Sequence, residues 1–192
     1  MTMNDAAQPE AIISAANRFA RDVLRPRAGE FDRAEHLPGE IIDEMAQNKF
    51  MMAGMPIEYG GLGLGAIDYG LLTEEIGRAC CATRGLMTVE CSLIGETLLR
   101  WGTADQRNKW LPAMAKAEKI GAFALTEPDY GTDARGMQSR YRKSGNDYVI
   151  NGVKKWISFG EIADFFLVFA TDGAEISTFI VESDRPGVIR HP

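Results

Sequence analysis

After residue 118 the apolar residues of this 192-residue chain change spacing, from a period of about 3.6 to one of about 2. One period belongs to helices and the other to strands, so a single repeating architecture is ruled out. The chain divides into a helical domain, 1–118, and a β domain, 119–192, which makes it an α+β protein rather than an alternating α/β one.

In the first part, Ile12, Ala16, Phe19 and Val23 recur at helical spacing, and Pro26 is expected to follow the end of that helix. A second helix is expected from Pro38 through Ile41, Ile42, Met45 and Ala46. A third, from Ala66 to Cys80, turns Leu71, Leu72 and Ile76 inward. The fourth, Arg84 to Trp101, carries Met87, Cys91, Ile94, Leu98 and Trp101 on one face and should lie centrally in a bundle, closed by Gly102. Thr103 with Gln106 three residues on reads as a capping box, and Pro112 should kink the helix it opens. Adjacent Glu74 and Glu75 point apart on a helix and read as solvated charges, not an acid pair. The glycines at 61, 63 and 65 do not fit the phosphate-binding GxGxxG pattern and read as a structural loop.

In the second part, strands are predicted at about 120–126, 136–143, 147–152, 153–159, 164–171 and 175–182, with turns at Gly145-Asn146, Asn151-Gly152 and Asp172-Gly173. DFFLVFA is apolar on both faces and suits an interior strand. Asn151-Gly152 is the strongest two-residue hairpin signal of the chain. If VKKWIS after it is a strand, Trp156 and Ser158 share a face, an aromatic plane beside a hydroxyl. GAFALT ends at Glu127-Pro128, and Asp129, Gly131, Thr132 and Asp133 then form a polar loop with backbone freedom at the glycine.

Bulk properties narrow the function. A formal charge of −6 argues against nucleic acid as the main partner. Apolar content of 45% and charged content of 25% suit a globular protein without a membrane span, and MTMNDAAQPEA is not a secretory signal, so a cytoplasmic setting is expected. Cys80, Cys81 and Cys91 lack a CxxC spacing and are expected as buried free thiols; with two histidines at no useful spacing, no metal site is expected. The hydroxyls of Thr126 and Ser158 and the plane of Trp156 are what a flat heteroaromatic such as a flavin needs, a wall and partners at its polar edge.

Two motifs resemble a known family. Ala124-Leu125-Thr126-Glu127-Pro128-Asp129-Tyr130-Gly131-Thr132-Asp133 is similar to the A-L-T-E-P-x-x-G-S-D signature of the acyl-CoA dehydrogenases, and Tyr148 to Ser158 to that family's Y-x-(I/L)-N-G-x-K-x-W-I-(T/S) segment. The resemblance implies a helical N-terminal bundle, part of an antiparallel, barrel-like middle domain, and FAD as cofactor. It implies that Phe123, Leu125 and Thr126 line the flavin, that Trp156 packs along its ring, and that Ser158 stands near N5. Gly131 and Thr132 match a pair that touches the flavin phosphate and the thioester arm of the substrate, Thr132 keeping the hydroxyl of the usual Ser. Phe159 stands where the family more often has a polar residue, and Glu127 reads as a loop residue that orders the turn, not as the base.

The implied reaction is α,β-dehydrogenation of an acyl thioester, electrons passing to an acceptor such as an electron-transfer flavoprotein. The base of the family lies in a C-terminal helical bundle, expected beyond Pro192, as is the main homo-oligomer interface. The chain taken alone is therefore expected to be catalytically incomplete. RGLMTVECSLIGETLLRWG, GAFALTEPDYGTDA and KKWISFGEIADFFLVFA are similar to a branch of polyketide pathways that oxidises acyl groups on carrier proteins; an ordinary fatty or branched acyl-CoA is the alternative substrate. A flavin monooxygenase or oxidase of the same fold, and a non-catalytic flavin- or thioester-binding partner subunit, are the other readings.

Overall fold

The computed structural model describes residues 9–191; most of the segment read as lacking a secretory signal lies outside them, as does Pro192. The chain forms two compact units, one ending at Lys119 and one beginning at Ile120.

In the first unit α1 (Pro9–Phe19) does not stop before Pro26. It passes through a π turn, Ala20–Leu24, into α2 (Arg25–Ala34). Pro26 has no N–H to donate, and the turn ahead of it widens so that Arg25 N–H reaches Ala20 O, five residues back. Then come α3 (Gly39–Gln47), α4 (Ala66–Gly77), α5 (Cys81–Met87), a second π segment (Thr88–Gly95), α6 (Glu96–Trp101) and α7 (Ala104–Ala115). Leu24, Ile41, Met45, Leu72, Ile76, Leu86, Met87, Ile94, Leu111 and Met114 are fully buried and form the core.

Two expected core residues face outward: Leu71 is 44% exposed and Trp101 is 84% exposed. Leu71 shares its α4 surface with exposed Ile67, one turn away, and Trp101 is the last residue of α6, past the packed stretch of that helix. Phe50 to Met55, by contrast, is a turn segment with four nearly inaccessible side chains, Phe50, Met51, Met52 and Met55. The glycine-rich loop folds back on it: Leu62 and Leu64 N–H both donate to Ala53 O, and a Cβ at Gly61 would collide with Met55 O. That loop is structural.

Thr103 and Gln106 cap each other as read, at 3.2 and 2.9 Å, and α7 runs through Pro112. Gly102 does close α6, yet in an extended conformation; its lack of a Cβ matters because one would press on Leu98 O at 2.5 Å. Arg78 holds both Glu74 and Glu75, at 2.6 and 3.1 Å. The thiols are free, but only Cys80 and Cys91 are buried; Cys81, at the exposed start of α5, is not. Burial pushes the Cys91 thiol up, which keeps it protonated and unreactive.

The second unit is a sheet built on β4 (Phe165–Thr171). β5 (Ile176–Glu182) pairs with it antiparallel along its whole length. On its other edge β1 (Gly121–Ala124) runs parallel to Phe165–Val168, and β2 (Arg140–Ser144) meets Thr171 in parallel through Arg140. β2 and β3 (Asp147–Asn151) form an antiparallel hairpin turned at Gly145-Asn146, with Gly145 at φ +64°. The sheet is thus open and mixed, the antiparallel pairing expected throughout holding for two of its contacts. DFFLVFA is its interior strand because it has neighbours on both edges.

No strand forms at 153–159 in this structure. The Asn151-Gly152 pair makes no hairpin; β3 ends at Asn151, and the chain enters turns in which Trp156 and Phe159 are left-handed, at φ 60° and 61°. Alternation along VKKWIS therefore does not put Trp156 and Ser158 on one strand face.

Candidate functional site

Glu127 anchors the end of β1. It is 4% exposed, and its two carboxylate oxygens accept from Gln138 N–H at 2.5 Å, from Ser139 N–H at 2.9 Å and from Lys154 Nζ at 2.8 Å. Lys154 Nζ also donates to Leu125 O at 3.0 Å, and Lys155 N–H to Thr126 O at 2.9 Å. These bonds tie together three segments distant in sequence: the exit of β1, the loop before β2 and the turn after β3. Buried carboxylates need such partners, since one left unpaired is costly. Burial alone would raise the Glu127 carboxyl; the Lys154 ammonium and the backbone amides of Gln138 and Ser139 outweigh it and hold the pKa at about 2.

The expected site residues fall around this knot. Phe123 lies on β1, its ring 4.9 Å from that of Phe169 on β4. Leu125 and Thr126 are half-buried and fixed through their carbonyls by Lys154 and Lys155. Gly131 and Thr132 are exposed on the loop between β1 and β2. Gly131 needs no left-handed backbone, and a Cβ on it would meet nothing within 4 Å, so the protein's own packing does not require glycine there. Ser158 is exposed, and Trp156 is 79% exposed with Lys155 Nζ 4.6 Å from its ring. Ile157, between them, packs against Ala122, Ala124 and Phe166.

The structure therefore brings the Thr126 segment and the Trp156 turn side by side. It does so through Lys154, which neither motif marks as a site residue. A buried glutamate calls for a cation, and Lys154 supplies it across 27 residues of sequence. A depression of about 280 Å³ lies beside the knot, lined by Glu127, Pro128, Tyr130, Ser139, Gly152 and Val153 among others. Among the described residues no cluster of His, Cys, Asp or Glu is arranged to hold a metal, and no helix is long and apolar enough to cross a membrane. An open indole, an adjacent hydroxyl-bearing segment and a glycine with free space above it fit a flat cofactor with an extended phosphate tail.

Helices followed by an open mixed sheet, with a polar loop and an aromatic turn stitched together at the sheet's end, define a two-part α+β protein. Residues 7–118 match the model of the acyl-CoA dehydrogenase N-terminal domain and residues 122–192 that of the middle domain, so the chain belongs to the acyl-CoA dehydrogenase family. It is 40% identical over 186 residues to a 3-(aryl)acrylate reductase of Clostridium sporogenes, covering 94% of this chain and 49% of that protein. It is 37% identical to the short-chain specific acyl-CoA dehydrogenase of Clostridium acetobutylicum, covering 97% of this chain and 51% of the relative. The chain spans about half the length of the curated relatives it matches. Among solved structures, a Mycobacterium smegmatis glutaryl-CoA dehydrogenase in complex with FADH2 superposes with a TM-score of 0.88 at 34% identity, covering 93% of this chain and 46% of the other. A chain in a structure described as the electron transferring flavoprotein of Acidaminococcus fermentans gives 0.89 at 35% identity, covering 97% and 50%. The flavin expected for this family is thus present, in reduced form, in one of these structures.

Proposed function

We propose that this chain supplies the flavin-facing and part of the thioester-facing surface of an FAD-dependent acyl-thioester dehydrogenase. The observation that carries the reading is the bond from Lys155 N–H to Thr126 O, which sets the two motif segments side by side with the Trp156 indole open to solvent. Phe123, Leu125 and Thr126 would line the flavin, Trp156 would cover its ring, Ser158 would donate near its reactive nitrogen, and Gly131 and Thr132 would face phosphate and the thioester arm. When bound, FAD supplies the hydride acceptor for oxidation of the Cα–Cβ bond.

Trp156 and the β1 exit exclude water from one side of that surface, and the Thr126 and Ser158 hydroxyls orient what binds there. Glu127 does not serve as the base that takes the α-proton. Its carboxylate is committed to Lys154 and two amides, and with a pKa of about 2 it is too weak a base for the task. The base is proposed to come from outside the residues assigned here. The C. sporogenes relative is named a reductase; the electron partner of this chain is proposed as an electron-transfer flavoprotein.

The test is to titrate the purified chain with FAD, following flavin fluorescence, and then to add acyl thioesters anaerobically to the protein in its longest encoded form. Saturable FAD binding that weakens in Trp156→Ala, followed by loss of oxidised-flavin absorbance, supports the proposal. Comparing acyl-CoA with acyl-carrier-protein thioesters assigns the carrier. A folded chain without FAD affinity overturns it, as does turnover in air that yields stoichiometric peroxide with no need of another acceptor.

A further inference from the structure

Trp156 is an aromatic residue in left-handed backbone, and Phe159 three residues on is another. Such a conformation is strained for non-glycine residues and persists only where the surroundings dictate it. On the C-terminal side of Trp156, Ile157 is held by the apolar cluster of Ala122, Ala124 and Phe166. On its N-terminal side stands Lys154, whose side chain is 11% exposed against 3% for its partner Glu127. A buried ion pair is seldom retained for stability alone, because apolar residues of like volume do as well. What this pair does that an apolar pair would not is fix direction: Nζ points to Leu125 O and Glu127 Oε1, while the same carboxylate holds the amides of Gln138 and Ser139.

We infer that Lys154 is a positioning residue for the cofactor surface, its ammonium locking the turn that carries Trp156 and Ser158 onto the loop that carries Thr126, Gly131 and Thr132. The inference rests on the flavin reading above for what is positioned, but the lock itself is a property of the ligand-free chain. Lys154 is assigned no contact with ring or substrate. It acts through the backbone at Leu125 and through Glu127, and it sets how Trp156 meets the flavin.

The experiment compares the wild-type chain with Lys154→Met, with the double variant Lys154→Met/Glu127→Leu, and with Val181→Ala on β5 as a stability control that leaves the lock intact. The double variant removes the carboxylate that Lys154→Met would strand, and it carries the comparison if the single variant does not fold. Amide hydrogen exchange of the ligand-free proteins is expected to rise about tenfold or more in 125–139 and 152–160, with β4 and β5 unchanged. FAD affinity is expected to fall by about tenfold or more, and the visible circular dichroism of bound flavin, which reports the ring's asymmetric surroundings, to change in shape. In Val181→Ala, affinity and spectrum are expected to stay as in wild type.

Unchanged exchange in both segments overturns the inference. So does wild-type FAD affinity and spectrum in the Lys154 variants, or an equal loss in Val181→Ala. A wild-type chain that binds no FAD overturns the flavin reading instead, and the exchange comparison still decides whether the lock exists.

Discussion

Gly152 lies against Ser139 so closely that a Cβ on it would overlap the Ser139 side chain and stand 2.7 Å from its Cα. Rotating the serine cannot relieve a contact with its own backbone. Gly152→Ala should therefore destabilise the second unit by about 1–3 kcal/mol, the usual cost of overpacking. Urea unfolding followed by circular dichroism checks this, with Gly145→Ala as a comparison whose penalty comes from φ +64° and not from crowding.

Acid should loosen the same region. The Glu127 pKa lies near 2 in the folded chain against an ordinary 4.5, so folding gains stability that is complete above about pH 4.5 and is lost as pH falls towards 2. The amount is on the order of 3 kcal/mol. Urea midpoints measured between pH 6 and pH 2.5, roughly the window this linkage covers, should fall for wild type. They should fall less for Lys154→Met/Glu127→Leu, which has no carboxylate to protonate at that position.

Gly131→Ala separates folding from binding. With open space around its Cα and no left-handed backbone, the substitution should change stability by less than about 0.5 kcal/mol. If a phosphate or thioester arm passes over this glycine, FAD or acyl-CoA affinity should drop by roughly tenfold, read by fluorescence titration. Affinity unchanged within error would remove Gly131 from the binding surface.

In the helical unit, Thr103→Ala removes one half of a reciprocal cap and should cost about 1 kcal/mol. Thr103→Ser, which keeps the acceptor, should restore nearly all of it in the same unfolding experiment.

How far the sequence discloses this molecule depends on which physical signal each residue carries. The α3 face of Ile41, Ile42 and Met45 and the 87–98 face of the fourth helix were legible because burial at helical spacing leaves a periodic trace. The capping box was legible because two side chains three apart must satisfy two specific amides. Pro26 misled, since its chemistry also permits a helix that widens by one residue. Phe50 to Met55 left no period because it is a turn with all but Gly54 buried. VKKWIS alternates as a strand does, yet left-handed backbone at Trp156 and Phe159 has no signature in residue polarity. Residues of the candidate site could be named from motifs, but Lys154, which joins them, belongs to contacts across 27 and 29 residues that no local pattern displays.

The parallel pairing of β1 with β4 joins partners a constant 44 residues apart, whereas the β2–β3 hairpin closes on a two-residue turn. During synthesis, β1 leaves the ribosome long before any partner for it exists, and it waits as an unpaired apolar segment while the helices ahead of it, whose hydrogen bonds are local, are already complete. Chaperone contact during that interval should concentrate on Gly121–Leu125 and end when Thr171 has emerged.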